Sequence, residues 1–162
     1  MKTRRSFLKG LVGALTLVTT TSYAWPVDAG EPPVHLVLVV AKDSPVSNIS
    51  FYDLKRLYLG ERLNVADKRL IALNLVPQTP ERERFDKAVL NMSPEVVARY
   101  WIDRKIRGDS GPPKTIDSAD LLQRVVTRLD GSIGYAPTTA IRPDVKAIHI
   151  DGKGPSDSGY PL

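Results

Sequence analysis

Residues 70–92, LIALNLVPQTPERERFDKAVLNM, leave the chain few choices. The apolar run Leu70 to Val76 is too short for an ordinary helix and stops at Pro77, so it reads as a buried strand. Thr79 follows in the place of a helix N-cap, with Pro80 at the first helical position, where its missing N–H costs nothing. Phe85, Ala88, Val89 and Met92 then recur at helical spacing and give that helix one apolar face. A strand that turns directly into a capped helix is the building unit of an α/β protein. The join between them offers a hydroxyl, free backbone N–H groups and the positive end of a helix dipole, which together suit an anion.

The same grammar recurs along the chain. Val34 to Ala41 is a nearly continuous apolar run, the pattern of a strand covered on both faces, as in parallel sheets flanked by helices. After the polar loop Lys42 to Ser50, Ser50 is placed to cap a helix carrying Phe51, Leu54, Leu57 and Tyr58 on one side and ending at Gly60. Ser93-Pro94-Glu95 repeats the cap, proline and acid of Thr79-Pro80-Glu81, and opens a helix whose expected inner face is Val96, Val97, Tyr100 and Trp101. Residues 109–114 read as loop. Asp117 or Ser118 caps a further helix through Leu121, Leu122, Val125, Val126 and Leu129, and short strands are expected at Ser132 to Ala136 and Val145 to Ile150. The expected fold class is therefore α/β, with a mainly parallel sheet flanked by helices.

The first 24 residues belong to a different kind of segment. A basic start, an apolar stretch from Leu11 to Val18 and small residues at Ser22 and Ala24 make a cleavable export signal, and the apolar stretch is too short to cross a bilayer. Thr3-Arg4-Arg5-Ser6-Phe7-Leu8-Lys9 resembles the twin-arginine export signal. The expected organisation is a signal peptide at 1–24, a flexible leader at 25–33 and one domain at 34–162. The expected location is the periplasm, as an exported soluble protein without stable membrane insertion. Lys2, Arg4, Arg5 and Lys9 account for most of the net charge of +5, so the rest of the chain is nearly neutral and gives no reason to expect nucleic acid as a partner. With no cysteine and only two histidines, neither a metal site nor a cofactor is expected.

Several segments in order carry a family likeness. The valine-rich run, the loop Ser44-Pro45-Val46-Ser47, the helix ending Tyr58-Leu59-Gly60, the Trp101 helix, Gly131-Ser132-Ile133-Gly134-Tyr135 and the terminal residues 155–162 together resemble the periplasmic phosphate-binding receptor of phosphate ABC transporters. The resemblance implies one lobe of a periplasmic-binding-protein-like fold, a non-enzymatic role and a small oxyanion such as phosphate as ligand. It also implies a link to phosphate transport with a membrane permease as partner. In the receptor, a glycine-containing loop with an arginine close by holds the anion; here that place is taken by Pro77-Gln78-Thr79-Pro80-Glu81-Arg82, without a glycine.

The candidate ligand-binding residues are accordingly Thr79 and Arg82, with Gln78, Ser44 and Ser47 as further donors; no residue is expected to be catalytic. Ser44 and Ser47 are expected to face the same crevice, because ligands of open α/β sheets lie beyond the carboxyl ends of the strands. Each candidate also has a plainer role: helix capping for Thr79, a solvated helix face for Arg82 and turn geometry for the serines. His35 and His149 lie in apolar runs as structural histidines, without the partners of a Ser–His–Asp site. The short length and glycine-poor loop leave open a second function, that of an adaptor or sensor subunit that uses the fold to bind protein rather than a small ligand.

Overall fold

The computed structural model describes His35–Leu162. The expected signal segment and leader lie outside these residues. The first strand, β1 (Leu36–Ala41), is buried for almost its whole length. A two-residue strand β2 (Asn48–Ile49) precedes α1 (Phe51–Tyr58), whose N-cap Ser50 accepts a hydrogen bond from the Asp53 N–H. A small hairpin, β3 (Asn64–Val65) and β4 (Lys68–Arg69), leads into β5 (Ile71–Leu75), the strand expected at 70–76.

The helix after β5 is not uniform. It begins as α2 (Pro80–Phe85) and continues as a π-helical segment, Asp86–Leu90, in which the Asn91 N–H donates to the Asp86 carbonyl. The wider turn brings Leu90 into the core beside Phe85 and Val89, a residue the 3.6-residue spacing did not put on the inner face. Asn91 ends the segment in a left-handed conformation, φ 56°.

Next come α3 (Pro94–Ile106), β6 (Lys114–Ile116), α4 (Ala119–Arg128), β7 (Ser132–Pro137), a 3₁₀ turn at Thr138–Ala140, β8 (Val145–Ala147) and β9 (His149–Ile150). Ser118, not Asp117, caps α4, accepting from the Leu121 N–H. Of the inner face expected for α3, only Val97 is buried; Val96 is exposed, and Tyr100 and Trp101 are half-buried. Tyr100 and Arg104 instead tie α3 down by donating to the Leu59 carbonyl. β6 is not among the expected strands: its first residue, Lys114, falls at the end of the expected loop 109–114, and three residues flanked by Pro113 and Asp117 carry too little apolar pattern to read as strand.

The main sheet has the order β6-β5-β7-β1-β8. β5 pairs in parallel with both β6 and β7, whereas β1 pairs antiparallel with both β7 and β8. Four strands therefore run one way and β1 runs against them. Its continuous apolar run reports burial on both faces, and burial is indifferent to strand direction. Along β7, Gly134 faces Leu122 of α4, while Tyr135 on the opposite face stacks on Phe85 with ring centroids 4.0 Å apart. α4 thus covers one face, and α1 with the α2–π unit covers the other, which gives the α/β sandwich expected from the sequence, with most strands parallel.

Candidate functional site

The structure divides the expected site residues between two ends of the sheet. Thr79, Gln78 and Arg82 follow β5 and stand beyond its carboxyl end. Ser44 and Ser47 follow β1, and because β1 is antiparallel its carboxyl end lies beside Ser132, where β7 begins. The single crevice expected for all five does not form. Ser44 borders a separate polar hollow with Lys68 and Asp130, its hydroxyl accepts from the Val46 N–H, and Lys146 donates to its carbonyl. The exposed Ser47 receives the His149 N–H on its carbonyl, in the small β2–β9 pairing. His149 and His35 are exposed rather than enclosed in strands, and the His149 ring lies 3.3 Å from the Ser47 carbonyl.

At the β5 end, two expected donors are already committed. The Thr79 hydroxyl accepts from the Arg82 N–H at 3.3 Å and donates to the Val76 carbonyl at 3.1 Å, so it caps the helix and closes the turn at once. Arg82 is no solvated cation. It is 8% exposed, its Nε donates to Asp86 Oδ2 at 2.6 Å, and its Nη1 donates to the Leu75 carbonyl at 2.8 Å. The spacing i, i+4 brings the two charges together on one helical face. Asp86 is only 3% exposed, and its Oδ1 is one of two buried side-chain polar atoms without a partner among the described residues. Burial outweighs the neighbouring guanidinium and holds the Asp86 carboxyl above the usual carboxylate range.

Arg82 and Asp86, but not Thr79, line a cavity of about 200 Å³ that lies beyond the carboxyl end of β5 and beside β6. On its buried side lie Asn74, Arg82 and Asp86. Gln78, Glu83 and Thr115 stand at its exposed edge, and Gln78 is held there with a φ of 70°. The walls are apolar: Val97, Ala98 and Trp101 of α3 on one side, and the rings of Pro77, Pro94, Pro112 and Pro113. Asn74 is 3% exposed and its Oδ1 accepts from the Tyr135 hydroxyl and the Leu75 N–H, while its amide nitrogen has no hydrogen bond among the described residues. Burial raises the Tyr135 hydroxyl well above its ordinary pKa, so it stays a neutral donor to Asn74.

Sequence reasoning missed Asn74, Asp86 and Thr115. Asn74 carried a signal, as a lone amide inside an apolar run, and Asp86 carried one in its i, i+4 spacing from Arg82. Thr115 carried none, because the strand that presents it depends on β5 for its existence.

No protein-family model and no curated protein matches the chain. Solved structures do. An ABC-type phosphate transport receptor from Vibrio cholerae is similar to 75% of the chain, with a TM-score of 0.60 and 18% identity, over 48% of its own length. A phosphate ABC transporter substrate-binding protein from Clostridium perfringens, solved with bound phosphate, covers 73% with a TM-score of 0.57 and 18% identity, over 45% of its length. PstS from Borrelia burgdorferi covers 75% with a TM-score of 0.56 and 15% identity, over 49% of its length. The chain spans about half the length of each of these receptors. Its fold is that of one half of a phosphate-transport receptor.

Proposed function

We propose that this chain is a non-catalytic binding protein built on half of a solute-receptor frame, with its occupant held in the cavity beyond the carboxyl end of β5 and beside β6. The observation that carries this reading is the cavity itself: three polar residues, Asn74, Arg82 and Asp86, each more than nine-tenths buried as whole residues, border an opening with apolar walls. Sites of this make-up, mostly apolar with a few convergent polar groups, are where α/β proteins hold small molecules. Phosphate or a similar small oxyanion is the first occupant to test, brought forward by the names of the fold neighbours. Arg82, Asn74 and Gln78 would be its donors, set against the carboxylates of Asp86 and Glu83. Calorimetric titration of the chain with phosphate and with sulfate, repeated on Ala98→Phe to fill the cavity, tests this. Binding that the variant abolishes supports the reading, and binding that it leaves unchanged sinks it.

A second reading is favoured by the apolar walls: the same cavity would receive a segment of a partner protein, as in an adaptor or sensor subunit. A membrane permease or a sensor protein is the kind of partner proposed. Capture of a partner that survives in Thr79→Ala but not in Ala98→Phe would favour it. Among the described residues no helix is long and apolar enough to cross a membrane. Periplasmic location is proposed from residues 1–24. A reporter fused to residues 1–30 should lose export in a strain lacking the twin-arginine route, and undiminished export would contradict that assignment.

A further inference from the structure

The cavity holds more carboxylate than cation. Arg82 and Asp86 cancel one another, and Glu83, the remaining charged residue that lines it, stands at its exposed edge. Arg82 has already spent its Nε and Nη1 within the protein. Among the described residues the buried Asp86 Oδ1 has no donor, and a buried acceptor in that condition costs free energy until one reaches it. The walls beside it, Val97, Ala98, Trp101 and the pyrrolidine rings, present carbon surface. A doubly charged oxyanion fits neither property, since it has no apolar surface to bury and meets two carboxylates against one committed guanidinium. An aliphatic stem ending in a cationic donor fits both.

Resting on the reading that this cavity is the binding site, we propose that it takes an alkylammonium group, with the ammonium toward Asp86 and Glu83 and the methylenes against Val97, Ala98 and Trp101. The group has two sources, a free amine or the lysine side chain of a partner polypeptide. Spectra of the ¹⁵N-labelled full chain read the Trp101 indole N–H and the Asn74 side-chain amide. The probes are n-butylammonium chloride, the capped tripeptide acetyl-Gly-Lys-Gly-amide and sodium phosphate, at matched ionic strength.

Saturable shifts of both signals with butylammonium are expected, together with loss of the response in Ala98→Phe. Glu83→Gln, a change at an exposed position that leaves the buried pair intact, should weaken binding roughly two- to fivefold. Tighter binding of the tripeptide than of butylammonium assigns the source to a partner chain, and the reverse assigns it to a solute. If phosphate moves the two signals and butylammonium does not, the ligand class is overturned while the cavity keeps its role. If no probe moves them, the cavity reading and this proposal fall together.

Discussion

Replacing Arg82 by methionine separates two roles that the sequence alone cannot tell apart. If Arg82 is a surface cation kept for a ligand, its loss costs under about 1 kcal/mol of stability, as exposed pairs do. In the structure its side chain is 10% exposed and that of Asp86 5%, with a 2.6 Å contact between them and a second bond to the Leu75 carbonyl. Removing one member of such a pair strands a buried charge, at a cost of roughly 3–5 kcal/mol. That is a large share of the roughly 5–15 kcal/mol that stabilises a domain, and corresponds to a fall in melting temperature of roughly 10–20 °C. The double replacement Arg82→Met with Asp86→Leu removes both charges and should recover to within about 2 kcal/mol of the parent, because well-packed apolar residues often substitute for a buried pair. Urea denaturation followed by circular dichroism measures all three proteins. A cost below about 1 kcal/mol for Arg82→Met, or a double variant as unstable as the single one, would refute the structural role assigned to the pair.

Three further outcomes are expected. In Gly134→Ala the new methyl would sit 2.3 Å from Leu122 Cδ2, against a fully buried side chain, for a loss of roughly 1–3 kcal/mol; adding Leu122→Ala should cost less than the two single losses together, and simple additivity would rule out that contact. Thr79→Ala removes the cap bond to the Arg82 N–H and the bond to the Val76 carbonyl, for a loss of about 1 kcal/mol that Thr79→Ser restores; an unchanged denaturation midpoint would contradict the capping geometry. The Asp86 carboxyl is raised by burial, so the folded chain binds its proton more readily than the unfolded chain does. Its contribution to stability is fully present below the unfolded pKa and is lost as pH rises through the folded one. The parent should therefore gain stability relative to Asp86→Asn as pH is lowered from 7 to 4, while the exposed Asp130 and Asp144, whose pKa values are lowered by Lys68 and Arg142, act equally in both proteins and cancel. A difference that moves the other way would mark Asp86 as a well-satisfied anion.

The elements were legible because their signals are local. Ser50, Thr79 and Ser118 each cap the N–H three residues ahead, and a bond that short is written in adjacent letters. Ser93 shows the limit of that grammar: it has the same proline and acid after it, yet its hydroxyl donates to the Glu95 carboxylate and caps nothing. The apolar runs at 34–41 and 70–76 likewise announced buried strands, since burial on two faces needs no information about which neighbour lies there.

The site was legible only in outline. The loop after β5 was recognisable as a place for a ligand, but the residues that border the cavity come from β5, β6, α2, the π segment and α3, and no local rule links Asn74 to Thr115 or Val97. Sequence by itself thus determined the strand, the cap, the helix and their order. Tertiary structure decided that β1 runs against its neighbours, which carries Ser44 and Ser47 to the far end of the sheet. It also decided that Arg82 turns inward to Asp86 and Leu75 instead of outward to solvent. Strand direction is set by which distant strands supply the hydrogen bonds. The fate of a guanidinium is set by whether the surrounding fold buries it beside a carboxylate.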